Sequence, residues 1–247
     1  LPYLSKELPM TADPTVHDPM TLAAAARSVL ACPSSVHLVV DGVADVLAGT
    51  DDLGMQDLAG TPTFSCVPGA DLGRAAARRA GALLTVESGL GRPGSPERAA
   101  TLTLAGTLRT EKREDCDCCG EARDVVTLRL TFALLAHPGR PEQQLRVPLE
   151  QFRSPAHRLN RGYLQRSVEH ANLCHQEELR RAVATTTGTR LSQVVGVSLA
   201  DLRPDRVEVQ WVDLDGAHTR TLAFRRAAGS TAELGELLRR ELHAGLC

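Results

Sequence analysis

Three groups of residues have the types and spacing to do chemistry. Cys116, Cys118 and Cys119 place three thiols within four positions. Such a run suits zinc, a cluster or redox work, yet the spacing is not C-x-x-C and no second pair follows at a metal-ribbon distance. Asp115, Asp117 and Glu121 flank the thiols and disfavour the thiolate form. An exposed, reduced loop is the other reading. The second group is His170, Cys174 and His175 on one predicted helix. At about 100° per residue, five steps set His170 and His175 roughly 140° apart, which keeps them from holding one ion together. His170 and Cys174 are four apart and share a face, a spacing open to a soft metal or to plain solvation. His175 falls in an apolar stripe and is expected to face the core or a pocket floor. It is either a buried imidazole bonded to a carbonyl or a metal ligand offering its electron pair. The third group is arginine. Arg74, Arg78 and Arg79 share a short predicted helix, and Arg153, Arg158 and Arg161 crowd a polar junction. Their guanidinium forks can hold carboxylates or phosphates, and solvated helix faces explain them as well.

Composition narrows the classes. The formal net charge is −2 and aromatic residues make up 3% of the chain. With neither a basic tract nor a stacking platform, nucleic-acid binding is disfavoured. Hydrophobic residues at 43% against 23% charged allow a proper core. No apolar run approaches the ~20 residues that span a bilayer, and no membrane is expected as a partner. No leader pattern stands near the start, and the seven cysteines are an odd, irregular set. Reduced thiols and a cytoplasmic location are the expectation. Leu1 is not an initiator, so Met10 or Met20 is a candidate true start. The patterns G-x-x-x-x-G-K-[ST], G-x-S-x-G and H-E-x-x-H are missing, which weakens phosphate-loop, hydrolase and zinc-protease readings.

The elements that must position these groups follow from periodicity. Residues 1–17 read as a loose, proline-bearing arm, and Met20–Leu30 as an Ala-rich helix. Val36, Leu38 and Val40 alternate in a strand, and Asp41-Gly42 predicts a hairpin returning over Val43–Ala48. Strands are expected over Thr61–Val67, Ala82–Glu87 (central), Thr101–Thr110, Val125–Leu135 and Leu145–Leu149. A helix over Asp71–Ala80 takes Asp71 as N-cap, and Ser88–Arg98 is a loop. Beyond a boundary near residues 153–160, one long helix spans about residues 162–185, with Leu164, Val168, Ala171, His175, Leu179 and Ala182 as its stripe. Strands over Gln193–Leu199, Val207–Val212 and through Phe224 follow, joined by the turn Asp213-Leu214-Asp215-Gly216. Ser230 and Glu233 form a capping box opening a last helix with Leu234, Leu237, Leu238 and Leu242 inward. The fold class is therefore α+β, with a small barrel over residues 18–155 and an antiparallel module over residues 160–247.

That second half carries a family resemblance. His170-Ala171-Asn172-Leu173-Cys174-His175 resembles the HxNxDH helix of a module that accompanies haem-utilisation split barrels. Val194–Leu199, Asp213–Gly216, Phe224 and Ser230–Leu242 follow in that module's order, so the likeness covers roughly residues 160–245. The first half is similar in pattern to the FMN-binding-like split barrels of pyridoxamine 5'-phosphate oxidase and HugZ-type haem oxygenase. One departure stands out: the motif's Asp is Cys174 here, so an orienter of an imidazole is lost. The resemblance implies a homodimer with haem at the subunit interface. His175, His170 and His243 are the implied iron ligands, with Arg78, Arg79 and Arg161 for the propionates. His243 is also explained as an exposed histidine near a helix C-terminus. No catalytic residue is implied beyond these. Three functions remain open: haem binding with possible haem breakdown, an FMN oxidoreductase using Arg78, Arg79, Thr85 and Ser88, and a non-catalytic regulator of tetrapyrrole metabolism.

Overall fold

The computed structural model describes residues 18–47, 53–115, 120–137 and 144–244, apart from the side chains of residues 243 and 244. The chain opens with α1 (Pro19–Ala31), capped by the Asp18 carboxylate, which accepts from the Thr21 amide at 2.9 Å. Then come β1 (Pro33–Val40), β2 (Gln56–Leu58), β3 (Thr61–Cys66), α2 (Asp71–Ala77) and β4 (Gly81–Ser88). The long strands β5 (Thr101–Asp115) and β6 (Ala122–Ala136) precede β7 (Gln144–Arg146) and the one-turn α3 (Leu149–Phe152). All seven strands join one antiparallel sheet in the order β1-β4-β5-β6-β3-β2, with β7 also on β6. This sheet curls into a half-barrel.

Strand alternation decides what fills the curl. Leu38, Leu84, Leu104 and Ala133 are in register across four strands, and all are buried. Phe64, Leu102, Leu108 and Leu128 add to them, and α1 packs Ala23, Ala26, Val29 and Leu30 into the same core. The interior is thus a packed side-chain core. A buried ion pair ties β2 to α1. Arg27 donates to Asp57 at 3.2 and 3.0 Å and to the Phe152 carbonyl at 3.1 Å.

The second sheet is separate: β8 (Gly196–Arg203), β9 (Arg206–Asp213) and β10 (Gly216–Ala223), ordered β10-β9-β8 and antiparallel. Helices α4 (Arg161–Cys174), α5 (Gln176–Thr187) and α6 (Thr231–Ala244) pack with it around Val183, Val194, Val207, Val209 and Leu234. The capping box holds in modified form. Ser230 Oγ accepts from the Glu233 amide at 3.2 Å, and Glu233 accepts from the Gly229 amide at 2.8 Å. Helix α4 touches both cores. A Cβ on Gly162 would sit 1.9 Å from the Ser28 carbonyl of α1, so only glycine permits this crossing. Leu164, half a turn on, belongs to the second core.

Several local expectations are corrected. Asp41-Gly42 turns, but residues 43–47 do not return as a strand; β1 pairs with β4 instead, and the Asp41 amide extends that ladder to the Gly81 carbonyl at 2.9 Å. A partner 42 to 55 residues further along the chain offers β1 seven registered pairs. Strand β4 is one in from the edge, not central. Asp71 is the first helical residue behind an Ala70 cap, and pairs with Arg74. The stretch 147–149 leaves β7 for α3. The long helix is two helices, broken at His175 (φ −120°, ψ 27°).

Candidate functional site

The break at His175 has a local cause. In a continuous helix the Gln176 amide would take the Asn172 carbonyl. Here the Gln176 side-chain amide takes it at 2.9 Å and also donates to the Val197 carbonyl of β8 at 2.8 Å. Asn172 does similar work. Its side chain accepts from the Leu199 amide at 2.8 Å and donates to the Leu199 carbonyl at 3.0 Å. Strand β8 is an edge, and these two side chains satisfy backbone groups that a further strand would otherwise meet. Asn172 therefore binds a strand backbone.

Leaving the helix brings His175 back toward His170. Their Nε2 atoms lie 3.3 Å apart, with ring centroids 5.1 Å apart and planes at 74°. The roughly 140° separation expected from an unbroken helix does not apply. Nor does His175 face the core: both imidazoles are exposed. Glu178 stands 3.9 Å from His175 Nδ1. Beside them Leu173 is 82% exposed and Cys174 carries an exposed free thiol. Among the described residues no group of three or more His, Cys, Asp or Glu side chains converges for a metal ion.

These imidazoles fit a haem singly, not as a pair. Two axial ligands sit on opposite faces of the macrocycle, with the ring plane between them. Nε2 atoms in hydrogen-bond contact leave no room for that plane. The arginines do not converge either. Arg78 donates to the Asp41 carbonyl at 3.0 Å near the start of β4, and Arg79 follows it at φ +58°. Arg161 pairs with Glu97, beyond the far end of β4. Eight residues at about 3.3 Å each put the two ends of that strand ~25 Å apart. The flavin set fails in the same way: Ser88 closes the far end of β4, buried, with its Oγ accepting from the Leu90 amide at 3.1 Å. Arg161 does border a hollow of about 580 Å³ with Leu164, Val168, Leu202 and Arg203. His170, nine residues from Arg161, points to the opposite side of α4. Cys116, Cys118, Cys119 and the His243 side chain lie outside the described residues.

Two features escaped the sequence reading. Gly89-Leu90-Gly91-Arg92-Pro93-Gly94 has the G-x-G-x-x-G spacing of a dinucleotide turn. Its context is wrong for that role: β4 is antiparallel to both neighbours, and a four-residue 3-10 helix follows. The Gly91 amide is taken by Gln165 at 2.9 Å. The other feature is His218. Asp213 Oδ1 accepts from His218 Nε2 at 2.9 Å, and that bond holds the Asp213 carboxyl below its ordinary range. Trp211 stacks on His218 at 5.0 Å and 16°. Together with Gln176, Val197 and Ser198 they border a second hollow of about 580 Å³. Among the described residues the imidazole hydrogen-bonded to a carboxylate is thus His218. The Asp-Leu-Asp-Gly turn was the available signal, since pairing Asp213 with Gly216 sets Trp211 against His218.

Cys32 and Cys66 are buried, free thiols, and burial pushes both above the usual thiol range. His157 is buried with Nε2 unpartnered, and burial followed by the nearby Arg27 charge lowers its imidazole.

Fold and site define the chain as an α+β protein that joins a curled antiparallel sheet to a three-stranded, helix-backed sheet with an exposed imidazole pair at their shared helix. No family profile and no curated protein matches the chain. Among solved structures, a haem-binding protein from Mycobacterium smegmatis is 16% identical, with 88% of this chain and 96% of that chain covered and a TM-score of 0.38. A protein of unknown function from Agrobacterium tumefaciens is 16% identical, with 93% and 100% covered and a TM-score of 0.36. Likenesses at these scores establish neither a shared family nor a shared ligand. No described helix is long and apolar enough to cross a membrane.

Proposed function

We propose that this chain binds haem through one imidazole at the end of α4, His175 or His170. The observation that carries the reading is the surface there: two exposed imidazoles beside a leucine that is 82% exposed, on the helix whose sequence resembles the haem-utilisation motif. A neutral imidazole supplies the electron pair and the leucine supplies apolar contact for a flat ring. When bound, the haem iron would supply the redox chemistry. Binding on a surface, with the barrel interior filled, needs a second wall. A second copy provides it in this reading. Val39, Leu83, Ala105 and Phe132 form an apolar row across the outer sheet face, with Val39 65% and Leu83 43% exposed. His243 on α6 remains an alternative ligand. Residues 18–155 and 160–247 are the two units of this proposal, meeting along α4.

The test is titration of the full-length chain with hemin, read by the Soret band and by size exclusion. Saturable binding with a shifted band that is lost in His175→Ala or His170→Ala is expected. A band unchanged in both variants, or no saturable binding, overturns the reading.

A further inference from the structure

The contact between His170 and His175 fits a chelate better than it fits two axial haem ligands. We propose that the pair is a binding site for a single divalent first-row metal ion of zinc type, with haem absent. This reading does not depend on haem binding.

Zinc binds imidazole nitrogen at about 2.0–2.1 Å with tetrahedral angles, so two nitrogens on one ion stand ~3.3–3.4 Å apart. His170 Nε2 and His175 Nε2 already stand 3.3 Å apart, with the rings at 74°, so an ion replaces the proton between them and the rings turn until both lone pairs face it. The backbone holds one of the two in place: the His175 amide donates to the Ala171 carbonyl at 3.0 Å, and its carbonyl accepts from the Leu179 amide at 3.0 Å. Asn172 and Gln176, on either side of the break, are fastened to β8 by the bonds described above. The pair is thus presented by a pinned break between two helices. Glu178 stands 3.9 Å from His175 Nδ1, and its negative charge favours a cation bound beside that ring. With no third protein ligand among the described residues, water completes the shell. An open shell of this kind also accepts an exogenous ligand. Imidazole suits zinc, copper and nickel alike, so metal availability selects among them.

The experiment uses the full-length, haem-free chain with Cys116, Cys118, Cys119, Cys174 and Cys247 replaced by Ser, which leaves only the buried thiols of Cys32 and Cys66. Zinc chloride is titrated while a long-range 1H–15N spectrum follows the histidine rings. One zinc per chain is expected, displacing the Nε2 signals of two rings that His170→Ala and His175→Ala identify. Either variant weakens binding at least tenfold. A hundredfold excess of zinc over its dissociation constant converts to about 2.7 kcal/mol and raises Tm by roughly 5–10 °C. Both positions are exposed, so the variants keep the fold, and circular dichroism verifies that. Zinc affinity unchanged in both variants, or displacement of other histidines only, overturns the proposal.

Discussion

Replacing Asn172 with Ala tests whether the motif helix is there to hold β8. The change deletes the acceptor for the Leu199 amide (2.8 Å), the donor to the Leu199 carbonyl (3.0 Å) and a longer bond to Ser198 Oγ (3.3 Å). A net hydrogen bond contributes about 0.5–1.5 kcal/mol, and a partly buried backbone group left without its partner costs about 1–3 kcal/mol. Edge position lets water recover part of this, so a loss of about 2–4 kcal/mol is expected. Trp211 is the one tryptophan in the chain and pairs with Val197 of β8, two residues before Leu199. Its fluorescence therefore reports the sheet directly in urea unfolding. With a slope near 2 kcal/mol per molar urea, the midpoint should fall by about 1–2 M. Asn172→Asp sharpens the test. It keeps an acceptor for the Leu199 amide but sets a carboxylate against the Leu199 carbonyl, so it should rescue little. A midpoint that moves by less than about 0.3 M in Asn172→Ala would refute the idea that this side chain stands in for a missing strand.

Arg27→Met should cost about 3–5 kcal/mol, because it leaves the Asp57 carboxylate, 9% exposed, buried without its cation and still holding the Gly60 amide at 2.6 Å; the double change Arg27→Met with Asp57→Asn should recover a large part of the Tm. A loss below 1 kcal/mol in the single variant would show that the pair is dispensable. His157 makes the fold acid-sensitive. Its imidazole is held below the ordinary value by burial and by Arg27, so below about pH 6.5 the unfolded chain binds a proton that the folded chain refuses. Stability is fully present above that pH and declines as pH falls through the window down to the lowered folded value. Urea midpoints measured at pH 7.5 and 5.5 should converge in His157→Gln, and an undiminished slope in that variant would assign the effect elsewhere.

Much of the architecture is written in short-range patterns. The alternation of Leu102 and Leu104 with Thr101 and Thr103 marks β5, and both leucines are fully buried. Ser230 and Glu233 mark the start of α6, and Asp213–Gly216 marks the turn between β9 and β10. In each case the physical cause lies within a few residues, so the chain displays it locally. The motif helix showed its histidines and its asparagine, but not what they touch. The carboxylate-oriented imidazole of His218 went unread because its signal is a register across a turn, not a motif.

What the sequence alone determined is therefore most of the long strands and helices, the mixed α and β character and the identity of the imidazoles on one helix. Tertiary structure decided the rest: that β1 takes β4 and not the segment after it, that α4 ends at Cys174, and that His170 and His175 meet. It also set Arg78 and Arg161 at opposite ends of one strand. Each of these rests on bonds between residues far apart in the chain, such as Gln176 to Val197 and Asn172 to Leu199. Helical periodicity assumes an uninterrupted backbone ladder, and an edge strand asking for donors and acceptors was enough to interrupt it.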